Sequence, residues 1–212
     1  MDIAILLYDG FTALDAVGPY EVLSRLPGAE VTFVAAAPGL ARTDVGSLAI
    51  QVDTGLDELA RPDVVVIPGG PGQVVPMGDP PTLDWLREAH AHTQWTTSVC
   101  TGSLVLAGAG LLDGVRATSH WLALDVLRTL GAEPTDERVV FDGKIVTAAG
   151  VSAGIDMALA LAARIAGDDV AQGIQLGIEY DPQPPFDAGS PAKAPAALVD
   201  RLRDDSRFRE AS

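Results

Sequence analysis

The sequence predicts a doubly wound α/β sandwich, a mostly parallel sheet with helices on both faces. Three observations carry that expectation. Apolar, β-branched runs of strand length recur along the chain, most plainly Val64-Val65-Val66-Ile67; segments of helical length fall between them; and Gly, Pro and Asp turn signals separate the two kinds from end to end. A continuous apolar strand such as Val64–Ile67 suits a parallel sheet covered on both faces.

The elements follow in order. Asp2–Leu7 and Val31–Ala36 read as buried strands, with a helix over Ala16–Leu26 stopped by Pro27-Gly28. Leu48–Val52 alternates like an edge strand after the Gly46-Ser47 turn. Asp63–Ile67 is the next strand, broken by Pro68-Gly69-Gly70-Pro71-Gly72. Asp79-Pro80-Pro81 caps and opens a helix that runs to about His92. Trp95–Val99 is a strand and Thr101–Leu112 a helix; Val115–Ser119 is a strand and Trp121–Leu130 a helix. Arg138–Phe141 and Lys144–Ala148 flank Asp142-Gly143, a hairpin signal. Ser152–Ala166 is apolar enough to be a buried helix, and Asp168–Tyr180 is a further helix with a capping aspartate. Residues 182–195 are too proline-rich for a regular element and form an ordered arm; Ala196–Glu210 is a charged terminal helix. No repeat or low-complexity linker divides the chain, so residues 1–212 are expected to form a single domain.

Composition excludes several roles. The 14 basic residues against 29 acidic give a net charge of −15, the opposite of the basic stripe that nucleic acid requires, and unsuited to anionic lipid. No apolar run is long enough to span a bilayer, and the N-terminus has an acid where a signal peptide wants a base. A cytoplasmic protein binding neither nucleic acid nor membrane is expected. The lone Cys100 excludes an intrachain disulfide and a multi-cysteine metal site. His90 and His92 fall two residues apart at a helix end, where side chains diverge, so a solvated helix end is the expectation rather than a metal site.

The chemistry concentrates in Ser98-Val99-Cys100-Thr101-Gly102-Ser103. A strand ends at Val99 and a helix begins just after Cys100. The pattern is that of a nucleophile elbow with Ser for the first glycine and Cys for the serine. Such a corner is expected to turn the sulfur toward solvent at a helix N-terminus, which lowers a thiol pKa. A buried core cysteine is the alternative. Gly69 and Gly70 are candidates to present backbone N–H groups to an oxyanion, against the reading of a simple strand-end turn. Asp15, among apolar residues after the first strand, is either a general acid with a raised pKa or a helix N-cap. His120 ends another strand, as a base or a structural histidine. Asp156 reads as a polar tie from its helix to a neighbouring loop.

These stretches, with Ala117-Thr118-Ser119-His120-Trp121, Leu14–Leu23, Gly150–Asp156, Gln175–Tyr180 and the arm Pro184–Pro191, resemble the ThiJ/PfpI superfamily over nearly the whole chain. The resemblance implies a flavodoxin-like, class I glutamine amidotransferase-like fold, a Cys100 nucleophile, an acid at Asp15, a contribution from Thr101 through its N–H and hydroxyl, and a homodimer. Within the superfamily the likeness is to members that hydrate isonitriles to N-substituted formamides through a thioimidate on the cysteine. That chemistry needs a small-molecule substrate and no metal or organic cofactor, and Val151 and Trp121 are the expected lining of an apolar pocket. Protease-like members carry a histidine directly after the cysteine, where this chain has Thr101; regulator members append a helix-turn-helix domain, for which the single terminal helix gives no sign. A redox-sensing or chaperone-like protein with an oxidisable Cys100, and a glyoxalase- or deglycase-like hydrolase, use the same elbow and acid and stay open as alternatives.

Overall fold

The computed structural model describes residues 1–208. β1 (Asp2–Leu6) leads through α1 (Ala13–Leu23) to β2 (Glu30–Ala35), then to a hairpin of β3 (Gly39–Arg42) and β4 (Ala49–Val52) and the two-residue β5 (Thr54–Gly55). β6 (Val64–Ile67), α2 (Val74–Met77) and α3 (Pro80–His92) precede β7 (Trp95–Val99), and α4 (Gly102–Gly108) begins shortly after it. β8 (Arg116–Ala117), α5 (Leu124–Thr129) and β9 (Glu133–Pro134) lead to the hairpin of β10 (Val139–Asp142) and β11 (Ile145–Ala148). α6 (Ala153–Ala166), α7 (Asp168–Gly177) and α8 (Ala196–Asp204) complete the chain order.

The main sheet has the order β10-β11-β7-β6-β1-β2-β5. Every neighbouring pair is parallel except β10 with β11. The doubly wound expectation therefore holds. All four residues of β6 are buried, as a strand covered on both faces demands, and hiding each Val or Ile side chain contributes about 1.5–3 kcal/mol. The chain passes from β1 to β2 on one side, then crosses back to β6 on the other. This reversal places a crevice at the carboxyl ends of β1 and β6. The loops after β1, β6, β7 and β11 all open at that end, which is how Asp15, Gly69, Cys100 and Val151 become neighbours.

Small residues let the layers close. A Cβ on Gly18 of α1 would stand 3.0 Å from Ile155 Cγ1 of α6, and one on Gly154 of α6 would stand 3.1 Å from the Val99 methyls of β7. α6 therefore lies tight against both α1 and the strand that carries the elbow. Its buried face is Ala153, Gly154, Met157, Ala158, Leu161 and Ala162; the rest of the helix is only partly covered, so it is less enclosed than its composition suggests.

Several expected elements differ. The first helix spans Ala13–Leu23 rather than Ala16–Leu26, because the Thr12 N–H is tied to the Gly69 carbonyl at 2.9 Å and the helix starts there. Val115–Ser119 yields only Arg116–Ala117, paired with Glu133–Pro134 outside the main sheet. The helix expected over Thr101–Leu112 stops at Gly108, with Gly110 following at φ +76°. Trp121–Leu130 divides into a 3₁₀ turn over Trp121–Ala123 and α5. Asp168 is the first residue of α7 and not its cap, which is Gly167. β3 pairs antiparallel with β4 across the Gly46 turn, so Ala49–Val52 belongs to a hairpin and not to the main sheet. Helix α8 ends at Asp204 rather than running on toward Glu210, which lies outside the described residues.

Two glycines differ sharply in tolerance. A Cβ at Gly102 would stand 2.0 Å from the Ile67 carbonyl oxygen, whereas one at Gly173, in α7, meets nothing within 4 Å. Gly102→Ala is expected to destabilise the fold by about 3 kcal/mol or more, the scale of severe overpacking. Gly173→Ala is expected to stabilise it by about 0.5–1 kcal/mol. Urea unfolding of both variants checks the pair.

Candidate active site

Cys100 occupies the turn between β7 and α4 with φ +57°, a left-handed conformation that a non-glycine residue rarely adopts. Such strain costs on the order of 1–3 kcal/mol and persists only where neighbours over-determine it. They do so here. The Cys100 N–H donates to the Ala148 and Ala149 carbonyls at 3.0 and 3.1 Å, and its own carbonyl accepts from Ser103 Oγ at 3.1 Å and Ser119 Oγ at 3.0 Å. Gly102 lets the elbow press onto the end of β6.

The sulfur does not face solvent as expected. Cys100 is 5% exposed, and its thiol is pushed up to about 12, first by burial and then by the negative charge of Asp15. The amides of Val151 and Thr101 hydrogen-bond the sulfur and pull in the other direction. The expected lowering at the helix N-terminus is thus present in kind, through the Thr101 amide, but desolvation outweighs it. Val151 is itself held at φ +24°.

Asp15 is fully buried. It stands in the first turn of α1, whose cap position is Thr12, so Asp15 is not the N-cap. Its Oδ2 accepts from the Gly69 N–H at 2.9 Å, and its Oδ1 has no partner in hydrogen-bonding geometry. Burial raises the carboxyl to about 7; the Gly69 amide and then the Cys100 thiol favour the ionised form, and Asp44 opposes it. A buried carboxyl oxygen left unmatched beside a buried thiol is a place for a proton to move. Tyr8, buried nearby, donates its hydroxyl to the Pro68 carbonyl at 2.6 Å; burial and then the charges of Asp15 and Cys100 push its phenol well above the usual range.

The glycine loop differs from its expected use. The Gly69 N–H is taken by Asp15 and the Gly70 N–H by Thr101 Oγ1 at 3.0 Å. Neither is a spare donor for an oxyanion; the Thr101 and Val151 amides face the Cys100 sulfur instead. The glycines are required for close approach. A Cβ on Gly69 would meet the Thr101 nitrogen at 2.5 Å, one on Gly70 the Thr12 nitrogen at 2.5 Å, and one on Gly72 the Asp9 carbonyl oxygen at 1.9 Å. This loop clamps the Asp15 segment against the elbow.

A cavity of about 230 Å³ opens over the sulfur, lined by Thr12, Gly70, Pro71, Cys100, Thr101, His120, Leu122, Val151 and the chain's distant Ser206, Arg207 and Phe208. Val151 lines it as expected. Trp121 does not: it lies beside the proline-rich arm and α8, with the Arg203 guanidinium 5.8 Å over its ring. His120 lines the cavity, but burial, and after it the Arg207 charge, lower its pKa. Its Nδ1 accepts from the Leu122 N–H at 3.3 Å, which puts the neutral ring's proton on Nε2 and makes it a donor rather than a base for the thiol. A larger cavity of about 380 Å³ lies on the β1–β2 side and contains no cysteine, histidine or basic side chain.

The remaining candidates are structural. Asp156 ties α6 to its surroundings through Arg138 and the Tyr180 hydroxyl. His90 Nδ1 meets Thr96 Oγ1 at 2.9 Å, while His92 turns toward Glu88. Among the described residues, no group of three or more His, Cys, Asp or Glu side chains could hold a metal ion, and no helix is long and apolar enough to cross a membrane. Ser119, which holds the Cys100 carbonyl, had no separate signal in the sequence beyond its place beside His120 in one short motif. Arg207 and Phe208 carried no local signal.

Known proteins resemble this chain in sequence and in fold. The sequence profile of the DJ-1/PfpI family matches residues 1–164. An isonitrile hydratase of Pseudomonas putida is 46% identical over 203 residues, covering 96% of this chain and 89% of that protein. The transcriptional regulator CdhR of Pseudomonas aeruginosa is 33% identical over 86% of this chain, which spans 54% of the regulator. A crystal structure of a ThiJ/PfpI family protein from Pseudomonas syringae superposes with a TM-score of 0.92 at 39% identity, over 99% of this chain and 89% of that one.

A carboxyl raised to about 7 in the folded state, against 3.8 as its ordinary value, destabilises the fold when ionised. No effect remains at acid pH, where both states are protonated; the cost develops as pH rises from about 4 to 7 and then levels off. Asp15→Asn is therefore expected to gain at least about 1 kcal/mol over the parent at pH 8 and to lose that gain by pH 4. Thermal unfolding at the two pH values checks the sign.

Proposed function

Because the chain belongs to the DJ-1/PfpI family, we propose that it hydrates isonitriles to N-substituted formamides, with Cys100 as nucleophile and Asp15 as proton carrier. The observation that carries this reading is the buried Cys100–Asp15 pair at the floor of an open, largely apolar pocket, in a chain similar over nearly its whole length to an isonitrile hydratase.

The chemistry is an addition at one carbon. The sulfur bonds to the terminal isonitrile carbon while the thiol proton passes to Asp15 Oδ1 and on to that same carbon, leaving a thioimidate, Cys–S–CH=N–R. Water then adds to the C=N carbon; Asp15 takes a proton from the water and passes it to the nitrogen. The C–S bond breaks as the new hydroxyl becomes the formamide carbonyl, and its proton returns through Asp15 to the sulfur. Splitting one difficult hydration in this way uses a covalent intermediate to lower each barrier. The Thr101 and Val151 amides stabilise the negative charge that passes through sulfur. A proton carrier of this kind contributes roughly 10²–10⁴-fold.

The thiol's burial and raised pKa weigh against a redox sensor, which needs an accessible thiolate. A glyoxalase- or deglycase-like activity uses the same pair, and the substrate panel separates it. Cys100→Ala is expected to fold and lose turnover of an alkyl isonitrile completely, and the parent is expected to leave methylglyoxal and a peptide amide untouched. Turnover of methylglyoxal without the isonitrile overturns the reading. With Asp15 at about 7 and the thiol at about 12, kcat/KM is expected to climb through pH 7 and stay level above it. Asp15→Asn is expected to lose at least about 10²-fold and that rising limb with it. We also propose that the chain works as a homodimer, and light scattering should then give twice its 22.0 kDa mass.

A further inference from the structure

The wall of the catalytic cavity opposite the elbow is made by the end of the chain. Ser206, Arg207 and Phe208 follow α8 directly, yet they line the same cavity as Cys100, Thr101 and His120. The Arg207 guanidinium donates to the Gly70 carbonyl at 3.2 Å and to Gln73 Oε1 at 2.6 Å. Gln73 is 2% exposed, so this acceptor is a fixed point. The guanidinium also lies 4.5 Å over the Phe208 ring, and the Phe208 N–H donates to Ser206 Oγ at 3.1 Å. Behind this turn α8 is seated by buried Val199 and by Arg203 over Trp121.

We propose that this turn selects the substrate: Phe208 limits the size of the isonitrile R group, and Arg207 is the positioning residue that latches Phe208 to the Gly70–Gln73 loop. The inference rests on the isonitrile reading for its substrate class. Of the other lining residues, Pro71 and Leu122 sit in 3₁₀ turns, after β6 and before α5, and Val151 follows β11. Among the described residues the terminal turn reaches that frame through the Arg207 contacts to Gly70 and Gln73 and through Phe208, which is packed partly buried against the core. Changing those contacts therefore alters the space over the sulfur without touching the elbow. Among the described lining residues Arg207 is also the one permanent cation, and its charge acts on the thiol. An apolar R group packed on the Phe208 ring is the ligand this wall fits.

Two measurements test it, and they fail separately. In the first, kcat/KM is measured for methyl, tert-butyl, cyclohexyl and naphthyl isonitriles. Phe208→Ala is expected to shift the naphthyl-to-methyl ratio by about tenfold or more toward the large substrate, the scale on which a pocket discriminates by size. Arg207→Gln is expected to shift it in the same direction, through KM rather than kcat. In the second, Cys100 alkylation is followed, which is unambiguous because the chain has a single cysteine. Phe208→Ala is expected to accelerate a bulky aryl maleimide relative to iodoacetamide by about tenfold. Arg207→Gln is expected to lower the iodoacetate-to-iodoacetamide rate ratio several-fold at low salt, and Arg207→Lys to restore that ratio while leaving size selection relaxed, because an ammonium keeps the charge without the planar fork. If no isonitrile turns over, the catalytic reading falls and the alkylation arm still reports on the wall. Unchanged size ratios in Phe208→Ala, or an unchanged iodoacetate-to-iodoacetamide ratio in Arg207→Gln, overturn the proposal.

Discussion

The left-handed turn at Cys100 is the constraint on which the rest of the site depends. A side chain at φ +57° is held there because both backbone groups of the residue are fully matched, by Ala148 and Ala149 on one side and by Ser103 and Ser119 on the other. Those partners come from the end of β11, from α4 and from the loop before α5, so the elbow is a junction of elements as well as a turn. Gly102 permits the junction by allowing α4 to start against the Ile67 carbonyl. Because Cys100 cannot relax, Thr101 and Val151 present their amides to a sulfur of fixed position, and a preorganised donor of that kind loses nothing to reorganisation during reaction.

The second organising effect is desolvation. At their ordinary values of 3.8 and 9.0 the carboxyl and the thiol would stand on opposite sides of neutrality, the one always ionised and the other mostly protonated. Burial raises both, the acid to about 7 and the thiol to about 12. The Asp15 charge contributes to the thiol's rise, so the two are one titrating unit rather than two independent groups. The Gly69 amide limits how far Asp15 climbs. The close approach of Gly70 and Gly72 to Asp9, Gly10 and Thr12 keeps that amide in place. The glycine loop thus bears on the site through Asp15 and Thr101, which already take its Gly69 and Gly70 amides.

Trp121 shows how a residue can belong to a site without lining it. It lines a small cavity with the proline-rich arm and α8 and has Arg203 over its ring. α8 in turn carries Arg207 and Phe208 to the cavity. Ala188–Pro191 and Ala194 of the arm line a small cavity of about 80 Å³ together with Trp121 and with Leu198, Val199 and Leu202 of α8.

What the sequence determined by itself was the alternation of strand and helix, the parallel core strand Val64–Ile67 and the elbow at Cys100, because each is written in neighbouring residues: β-branched runs, periodicity, a small residue on either side of the nucleophile. It also marked Asp15 and the glycine loop as candidates. Whether Asp15 capped α1 or faced the sulfur, whether Gly69 and Gly70 kept spare amides, and whether the thiol was raised or lowered were decided only in three dimensions. Each depends on a balance between burial and a few hydrogen bonds that the packing of β1, β6 and β7 sets up. Arg207 and Phe208 lie furthest from local inference. Their place over Cys100 comes from how α8 docks, a long-range packing event that leaves no periodicity, spacing or turn signal in the residues themselves.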